Sequence, residues 1–262
     1  MPVIVIVSGK ASPGATTSAA ALAWAWPSAV VLADCDPVGG DLTAGWLSPW
    51  VLSGWLRRDI GVLSFATATR HDSTATAGSL TEHLQAVPGV PRVRVLTGLQ
   101  QASHAASVGE LGWRRLAEAL AETDAAAIVD CGRLGPGTPW PLAWVADLVL
   151  VAVRPLPRHV IAARAALAML RRHVEPARLG LLACAARTST ISSLEHALDV
   201  SVRAELPEDH VAASVFSDGM DEPFGLSRSL FARSARTAAS RLAAVPVASE
   251  REQRAEEVGS DA

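Results

Sequence analysis

Short runs of hydrophobic residues alternate with alanine- and leucine-rich segments along most of this 262-residue chain. The runs occupy residues 3–7, 29–33, 93–96, 125–129, 146–153, 179–185 and 200–204. Continuous apolar runs of this length are typical of parallel strands buried on both faces, and helices are expected between them. The pattern therefore predicts an α/β fold, with a mostly parallel, doubly wound sheet of about seven strands and helices on both faces.

Two segments in the middle of the chain give weaker local predictions. Residues 61–65 are predicted to form a further short strand. Residues 108–122 are predicted to form an amphipathic helix, with Leu111, Leu116 and Leu120 on its apolar side.

Three tryptophans lie close together at Trp46, Trp50 and Trp55. Spacings of four and five residues are compatible with one helical face, which favours packing in the core. The alternative is an exposed face that binds a partner, because tryptophan is enriched at interaction hot spots.

The length suits one sizeable domain, predicted to span residues 1–245. The segment 250–262 is rich in charged residues and has no apolar face. Residues 246–262 are therefore predicted to form a disordered tail that cannot anchor the chain to a membrane.

Composition and charge exclude several classes of protein. Half of the residues are hydrophobic and 19% are charged, which argues against a disordered chain. The net charge of -3 provides no general attraction to nucleic acid, so contact with DNA is expected to be weak and to depend on a local arginine patch. No apolar run approaches the roughly 20 residues of a membrane-spanning helix, so no membrane insertion is expected.

The cysteines and the start of the sequence indicate a cytoplasmic location. Cys35, Cys131 and Cys184 lie in or beside apolar runs, which favours buried, reduced thiols. The chain enters its first apolar run at residue 3 without a charged leader.

The loop after the first apolar run carries the strongest chemical signal. Residues 8–17 have the sequence SGKASPGATT and precede an alanine-rich segment. A strand, a glycine-bearing loop and a helix form a phosphate-binding arrangement, because free N–H groups at the helix start stabilise an anion. Gly9, Gly14 and Thr16 fit the pattern G-x-x-x-x-G-K-[ST], whereas Ala15 occupies the lysine position.

Lys10 is the only lysine of the chain, against 22 arginines. Its position beside the loop glycine favours a specific role. The alternative is an ordinary turn between a strand and a helix, with an incidental lysine.

Carboxylates follow two of the predicted strands. Asp34 and Asp36 come after residues 29–33, and Asp130 closes the run at 125–129. The carboxyl ends of parallel strands form the ligand-binding edge of an α/β sheet, so these groups are expected near the loop. For the first pair, an ordinary Asp-Pro turn is the alternative.

Together these landmarks resemble the ParA/MinD family of P-loop ATPases, whose deviant phosphate-binding loop reads K-G-G-x-G-K-T-[ST]. Lys10 matches the early signature lysine of that loop, and Gly14 matches its later glycine. Thr16 and Thr17 match its two hydroxyl residues. A Pro-x-Asp turn at residues 207–209 resembles the family's turn beside the adenine.

Several positions depart from the family pattern. Ala11 and Ser12 replace the paired glycines, and Ala15 replaces the phosphate-binding lysine. At the end of the apolar run 179–185 the family usually carries an asparagine that recognises adenine, and here the matching stretch, residues 183–186, reads ACAA.

The resemblance implies a role for each matching residue. Catalysis is assigned to Lys10 and Asp36, and the metal ion to Thr16, Asp36 and Asp130. Asp34 is expected to be a structural neighbour. The implied nucleotide-binding set is Gly9, Lys10, Ser12, Gly14, Ala15, Thr16, Thr17, Pro207 and Asp209.

The implied function is an ATP- and Mg²⁺-binding switch that forms a homodimer around nucleotide and positions cell-division, chromosome or other cargo through a protein partner. Losing one charge-assisted hydrogen bond, worth roughly 1.5–3 kcal/mol, weakens ATP binding without abolishing it. Transition-state stabilisation suffers more, so hydrolysis is expected to be slow or absent. The alternative is a degenerate relative that binds proteins as a scaffold.

Overall fold

One eight-stranded sheet runs through the part of the chain that the computed structural model describes, which is residues 1–10, 12–71 and 77–247. The strands are β1 Val3–Ser8, β2 Val30–Asp34, β3 Gln85–Ala86, β4 Val93–Leu96, β5 Ala126–Arg133, β6 Leu148–Val153, β7 Leu179–Ala186 and β8 Val202–Pro207. Their spatial order is β3-β4-β2-β5-β1-β6-β7-β8, and only β3 is antiparallel to its neighbour. The predicted mostly parallel α/β sheet is confirmed, with one strand more than expected because β3 has only two residues and no apolar run.

Helices cover both faces of this sheet. Within the described residues they are α1 Ala15–Trp24, α2 Ser48–Leu52, α3 Val62–Ala68, α4 Ala77–Thr81, α5 His104–Glu122, α6 Trp140–Val145, α7 Pro157–Leu170, α8 Thr188–Leu198, α9 His210–Asp218 and α10 Leu230–Ala243. Val5 and Ile6, adjacent in β1, belong to two different hydrophobic clusters. Since successive side chains of a strand point to opposite faces, there is one core on each side of the sheet.

Two of the local predictions are wrong. Residues 61–65 contribute to helix α3, and Gly61 makes only a single bridge to Thr97. Leu111 is 61% exposed, whereas Leu116 and Leu120 are buried. Leu116 is the fifth residue after Leu111, which at 3.6 residues per turn separates their side chains by about 140° around the helix.

The tryptophan stretch is divided between core and surface. Trp46 is 3% exposed and contacts the rings of Trp50 and Phe216, with ring centroids 6.0 and 5.9 Å apart. Trp55 is 75% exposed. The core interpretation is therefore confirmed for Trp46 and wrong for Trp55.

All three cysteines are free and buried, as predicted. None of the helices in the described part of the chain has the length and apolar character needed to cross a membrane. Residues 248–262, which include most of the predicted tail, lie outside the described residues, as does Ala11 in the loop.

Candidate functional site

Strand β1 lies in the middle of the sheet, between β5 and β6. From β1 the chain passes through α1 to β2, which lies on the β5 side of β1, whereas β6 lies on the opposite side of β1. Ligands of open α/β sheets bind at the carboxyl ends of the strands where the strand order reverses in this way. The loop after β1 therefore opens onto the crevice at this position.

The loop ends in a glycine that starts helix α1. Gly14 has φ 103°, in the left-handed region that favours glycine, and its carbonyl oxygen accepts the first helical hydrogen bond from Ser18 N–H at 2.9 Å. Helix α1 begins at Ala15, directly after Gly14. The N–H groups of its first turn have no partner within the helix, so they are available to an anion.

Gly9 and Lys10 lie on the other side of the loop. A Cβ atom at Gly9 would overlap the carbonyl oxygen of Ala162 in α7, so the loop is packed directly against that helix. Lys10 is exposed, as is Ser12, which has φ 48°. A cavity lies beside this loop, and neither Lys10 nor Ser12 is among the residues that line it.

Two buried carboxylates lie at the carboxyl ends of the strands beside the loop. Asp34 of β2 is paired in register with Asp130 of β5, and neither residue is more than 1% exposed. Burial raises the pKa of Asp130 to about 6, and the nearby Thr16 hydroxyl and the hydrogen bond of 3.0 Å from the Gly132 N–H oppose this rise. Burial, together with the charge of Asp130, raises the pKa of Asp34 well above its ordinary value.

Asp36 lies above the end of β5. Its Oδ1 atom accepts a hydrogen bond of 2.8 Å from Val38 N–H, and its carboxylate occupies the space where Gly132 would carry a Cβ atom. Burial raises the pKa of Asp36, and the charge of Asp36 contributes to the raised pKa of Asp130. Thr16 and Asp36 thus both lie near Asp130.

A cavity of about 370 Å³ extends from the loop towards α9. Among the predicted nucleotide-binding residues, Gly14, Thr17, Pro207 and Asp209 line it. The other lining residues are Pro13, Ser18, Arg154, Cys184, Ala185, Leu206, Glu208, His210, Ala213, Ser217, Asp218 and Phe231. Segments that are distant in the sequence thus form one cavity next to the loop.

The oxygen atoms at the base of the loop suit a magnesium ion. Asp130 Oδ2 and Asp34 Oδ1 are buried, and no hydrogen-bond partner for them lies within the described ranges. The described residues contain no cluster of three or more potential metal-ligating side chains. Mg²⁺ usually keeps several water molecules and takes one or two carboxylates plus phosphate oxygens, so Thr16 and Asp130 meet its requirements.

Two features of the cavity were not identified from the sequence. Arg154, at the end of β6, donates a hydrogen bond from Nε to the Pro13 carbonyl oxygen at 3.0 Å. Ser18 Oγ lies 3.4 Å from Cys184 Sγ, so α1 contacts the end of β7 where an asparagine was missing. The only sequence signal for Arg154 was its position at the carboxyl end of an apolar run.

Neither a protein-family model nor a curated protein matches this sequence. Solved structures do match. A ParA family ATPase from Chlorobium tepidum TLS has a TM-score of 0.71 and 16% identity, with 91% of this chain and 98% of that chain covered. The cell division ATPase MinD of Pyrococcus furiosus also has a TM-score of 0.71 and 16% identity, with 94% and 99% covered.

A third match was solved with a bound nucleotide. The septum site-determining protein MinD from Pyrococcus horikoshii OT3, complexed with Mg-ADP, has a TM-score of 0.62 and 17% identity, covering 92% of this chain and 94% of that chain. The chain therefore has the fold of the ParA and MinD ATPases, as the loop and carboxylate landmarks predicted.

Proposed function

We propose that this chain binds ATP with Mg²⁺ in the cavity beside the loop and acts as a nucleotide-dependent dimerising switch that positions a cargo. One observation carries the proposal: Thr16, in the first turn of α1, interacts with the buried Asp130 carboxylate, and the start of this helix lies beside a cavity of about 370 Å³. MinD from Pyrococcus horikoshii, which has the same fold, was solved with Mg-ADP.

Each part of the site has a role in this proposal. The N–H groups of the first turn of α1 bind phosphate oxygens, and Thr16 with Asp130 holds the metal ion. A bound Mg²⁺ neutralises charge on the phosphate groups. Asp36 is the group that would orient an attacking water, because its carboxylate is half-buried and lies above the end of β5.

Turnover is expected to be slow or absent. Ala15 provides no charge to balance the negative charge that develops on the transferred phosphoryl group. Ground-state binding suffers less, because the backbone N–H groups and Thr16 remain.

Lys10 is assigned to the dimer. It is exposed and stands outside the cavity of its own chain, so it is available to phosphate groups bound by a second copy. In this arrangement the nucleotide is enclosed only when two chains meet, which makes dimerisation depend on ATP.

The test is a titration of the full chain with ATP and ADP, with and without Mg²⁺, together with its mass in solution by sedimentation. We expect Mg²⁺-dependent binding and a shift from monomer to dimer with ATP. A protein that binds neither nucleotide and keeps the same mass would contradict the proposal.

A second candidate is a protein-binding scaffold that has kept the fold and lost nucleotide turnover. Ala15, in place of lysine, and Ala185, which lines the cavity where an asparagine was expected, favour it. For a scaffold, the oligomeric state is independent of nucleotide, and the Ala15→Lys variant hydrolyses no ATP.

A further inference from the structure

The Arg154 side chain connects the end of strand β6 to the loop after β1. It follows β6, the strand paired with β1, and its Nε atom donates to the carbonyl oxygen of Pro13 at 3.0 Å. Pro13 immediately precedes Gly14, where α1 begins. The guanidinium group is thus held beside the helix start by a contact that spans 141 positions of sequence.

The charge of Arg154 acts on the cavity. Burial raises the pKa of the Cys184 thiol, which lines the cavity at the end of β7, to about 11, and the charge of Arg154 opposes this rise. Among the described residues that line the cavity, Arg154 is the only arginine or lysine. In the ranges that the structure describes, it forms no ion pair with a carboxylate.

The acidic groups that line the cavity lie on α9 or directly before it. Glu208, Asp209 and Asp218 line the wall near α9. Asp209 is engaged with Ala212 N–H at 3.0 Å, and the Asp218 carboxylate accepts a hydrogen bond from Ser217 Oγ. A ligand with several negative charges is therefore favoured with those charges at the loop end, beside Arg154, and its neutral part near α9.

We propose that Arg154 binds the phosphate groups of the nucleotide and supplies the positive charge that Ala15 does not. A guanidinium group has five N–H donors, and the hydrogen bond to Pro13 uses one of them. The two terminal nitrogens remain available for two parallel hydrogen bonds to phosphate oxygens. Because the group is already fixed by Pro13, little side-chain freedom is lost on binding.

This inference rests on the proposed nucleotide site, and a set of variants separates the two. The Arg154→Gln variant removes the charge and keeps a polar side chain. Arg158→Gln, at an exposed position near the start of α7, removes the same charge outside the cavity. We expect the affinity for ATP with Mg²⁺, measured by calorimetric titration, to fall about tenfold to a hundredfold in Arg154→Gln and to stay unchanged in Arg158→Gln.

Adding Ala15→Lys to the wild type and to Arg154→Gln distinguishes phosphate binding by Arg154 from a structural role in holding the loop. If Arg154 and the introduced lysine neutralise the same phosphate groups, Ala15→Lys raises ATP affinity by a larger factor in Arg154→Gln than in the wild type. Equal factors in the two backgrounds would assign Arg154 to loop structure and overturn the inference. Unfolding midpoints of each variant show whether the fold is kept.

The remaining outcomes are also decisive. A wild type that binds no ATP overturns the proposed function and this inference with it. A wild type that binds ATP with the same affinity as Arg154→Gln overturns this inference alone. If Arg154→Gln does not fold, Arg154→Met takes its place: it keeps a long side chain without the charge, so ATP affinity is expected to fall by a similar factor, and an unchanged affinity would overturn the inference.

Discussion

The Asp209 carboxylate accepts a hydrogen bond of 3.0 Å from the Ala212 backbone N–H and caps the first turn of α9. Asp209 was predicted as a nucleotide-binding residue, and it does line the cavity. Its side chain is nevertheless engaged with its own helix. The position of α9, and with it one wall of the cavity, therefore depends on this cap.

Removing the cap is expected to destabilise the fold. Asp209→Ala should lower the free energy of unfolding by about 0.5–2 kcal/mol, because a donor of the first turn loses its partner. Asp209→Asn keeps a capping oxygen and should stay close to the wild type. Urea denaturation of the three proteins provides the comparison; an asparagine variant as unstable as the alanine variant would show that the cap is not responsible.

The two outer tryptophans of the 46–55 stretch should differ sharply in their contribution to stability. Trp46→Ala removes a buried ring packed against Trp50 and Phe216 and should cost about 3–5 kcal/mol of unfolding free energy. Trp55→Ala, at a position 75% exposed, should change the unfolding free energy by no more than about 0.5 kcal/mol. Denaturant titration followed by circular dichroism measures both, and similar losses would contradict the observed burial.

The stability of the fold should depend on the protonation of His159. Burial, followed by the charges of Arg158 and Arg154, lowers the pKa of this imidazole in the folded chain. The unfolded chain then binds a proton more readily, so the stabilising contribution is complete above the unfolded pKa of about 6.5 and is lost as the pH falls.

The measurement is the unfolding free energy of the wild type and of His159→Gln across that range of pH. We expect the wild type to lose more stability on acidification than the variant does. Parallel pH profiles would rule out His159 as the titrating group.

The Lys10 side chain should be needed for dimerisation. Lys10→Ala should abolish ATP-dependent dimerisation in sedimentation experiments while leaving the unfolding midpoint unchanged, because the side chain is exposed. Lys10→Arg, which keeps the charge, is the control and should retain part of the dimer. A dimer that forms normally with Lys10→Ala would remove this residue from the interface.

Ala15→Lys should tighten ATP binding about tenfold to a hundredfold, because it restores one charge-assisted hydrogen bond. Ala15→Met, which has a long side chain without charge, is the matched control for the buried position. An equal effect of the two substitutions on ATP affinity would show that charge is not the cause.

Gly9 should not tolerate a side chain. A Cβ atom there would overlap the Ala162 carbonyl oxygen, so Gly9→Ala should displace the loop from α7 and cost about 1–3 kcal/mol of unfolding free energy. Gly135→Ala is the control, because a Cβ atom at Gly135 has no neighbour within 4 Å. Equal stability of the two variants in thermal unfolding would contradict the close packing of the loop.

The sequence alone determined the fold class, most strand positions and the place of the loop. Strands β1, β2 and β5 begin within a residue of the predicted apolar runs, because a run buried on both faces is a local property of the sequence. The sequence also predicts that Asp36 and Asp130 lie near the loop that carries Thr16, since the carboxyl ends of parallel strands share one edge.

Only the tertiary structure decided which of these groups meet other segments of the chain. The register of β2 and β5 pairs Asp34 with Asp130, and the neighbouring position of β6 brings Arg154 to Pro13. Hydrophobic periodicity fixes where a strand begins and which faces it buries, but not which strand lies beside it. The position of Arg154 at the start of α1 could therefore not be predicted from the residues around the loop, because Arg154 lies 141 positions away from Pro13.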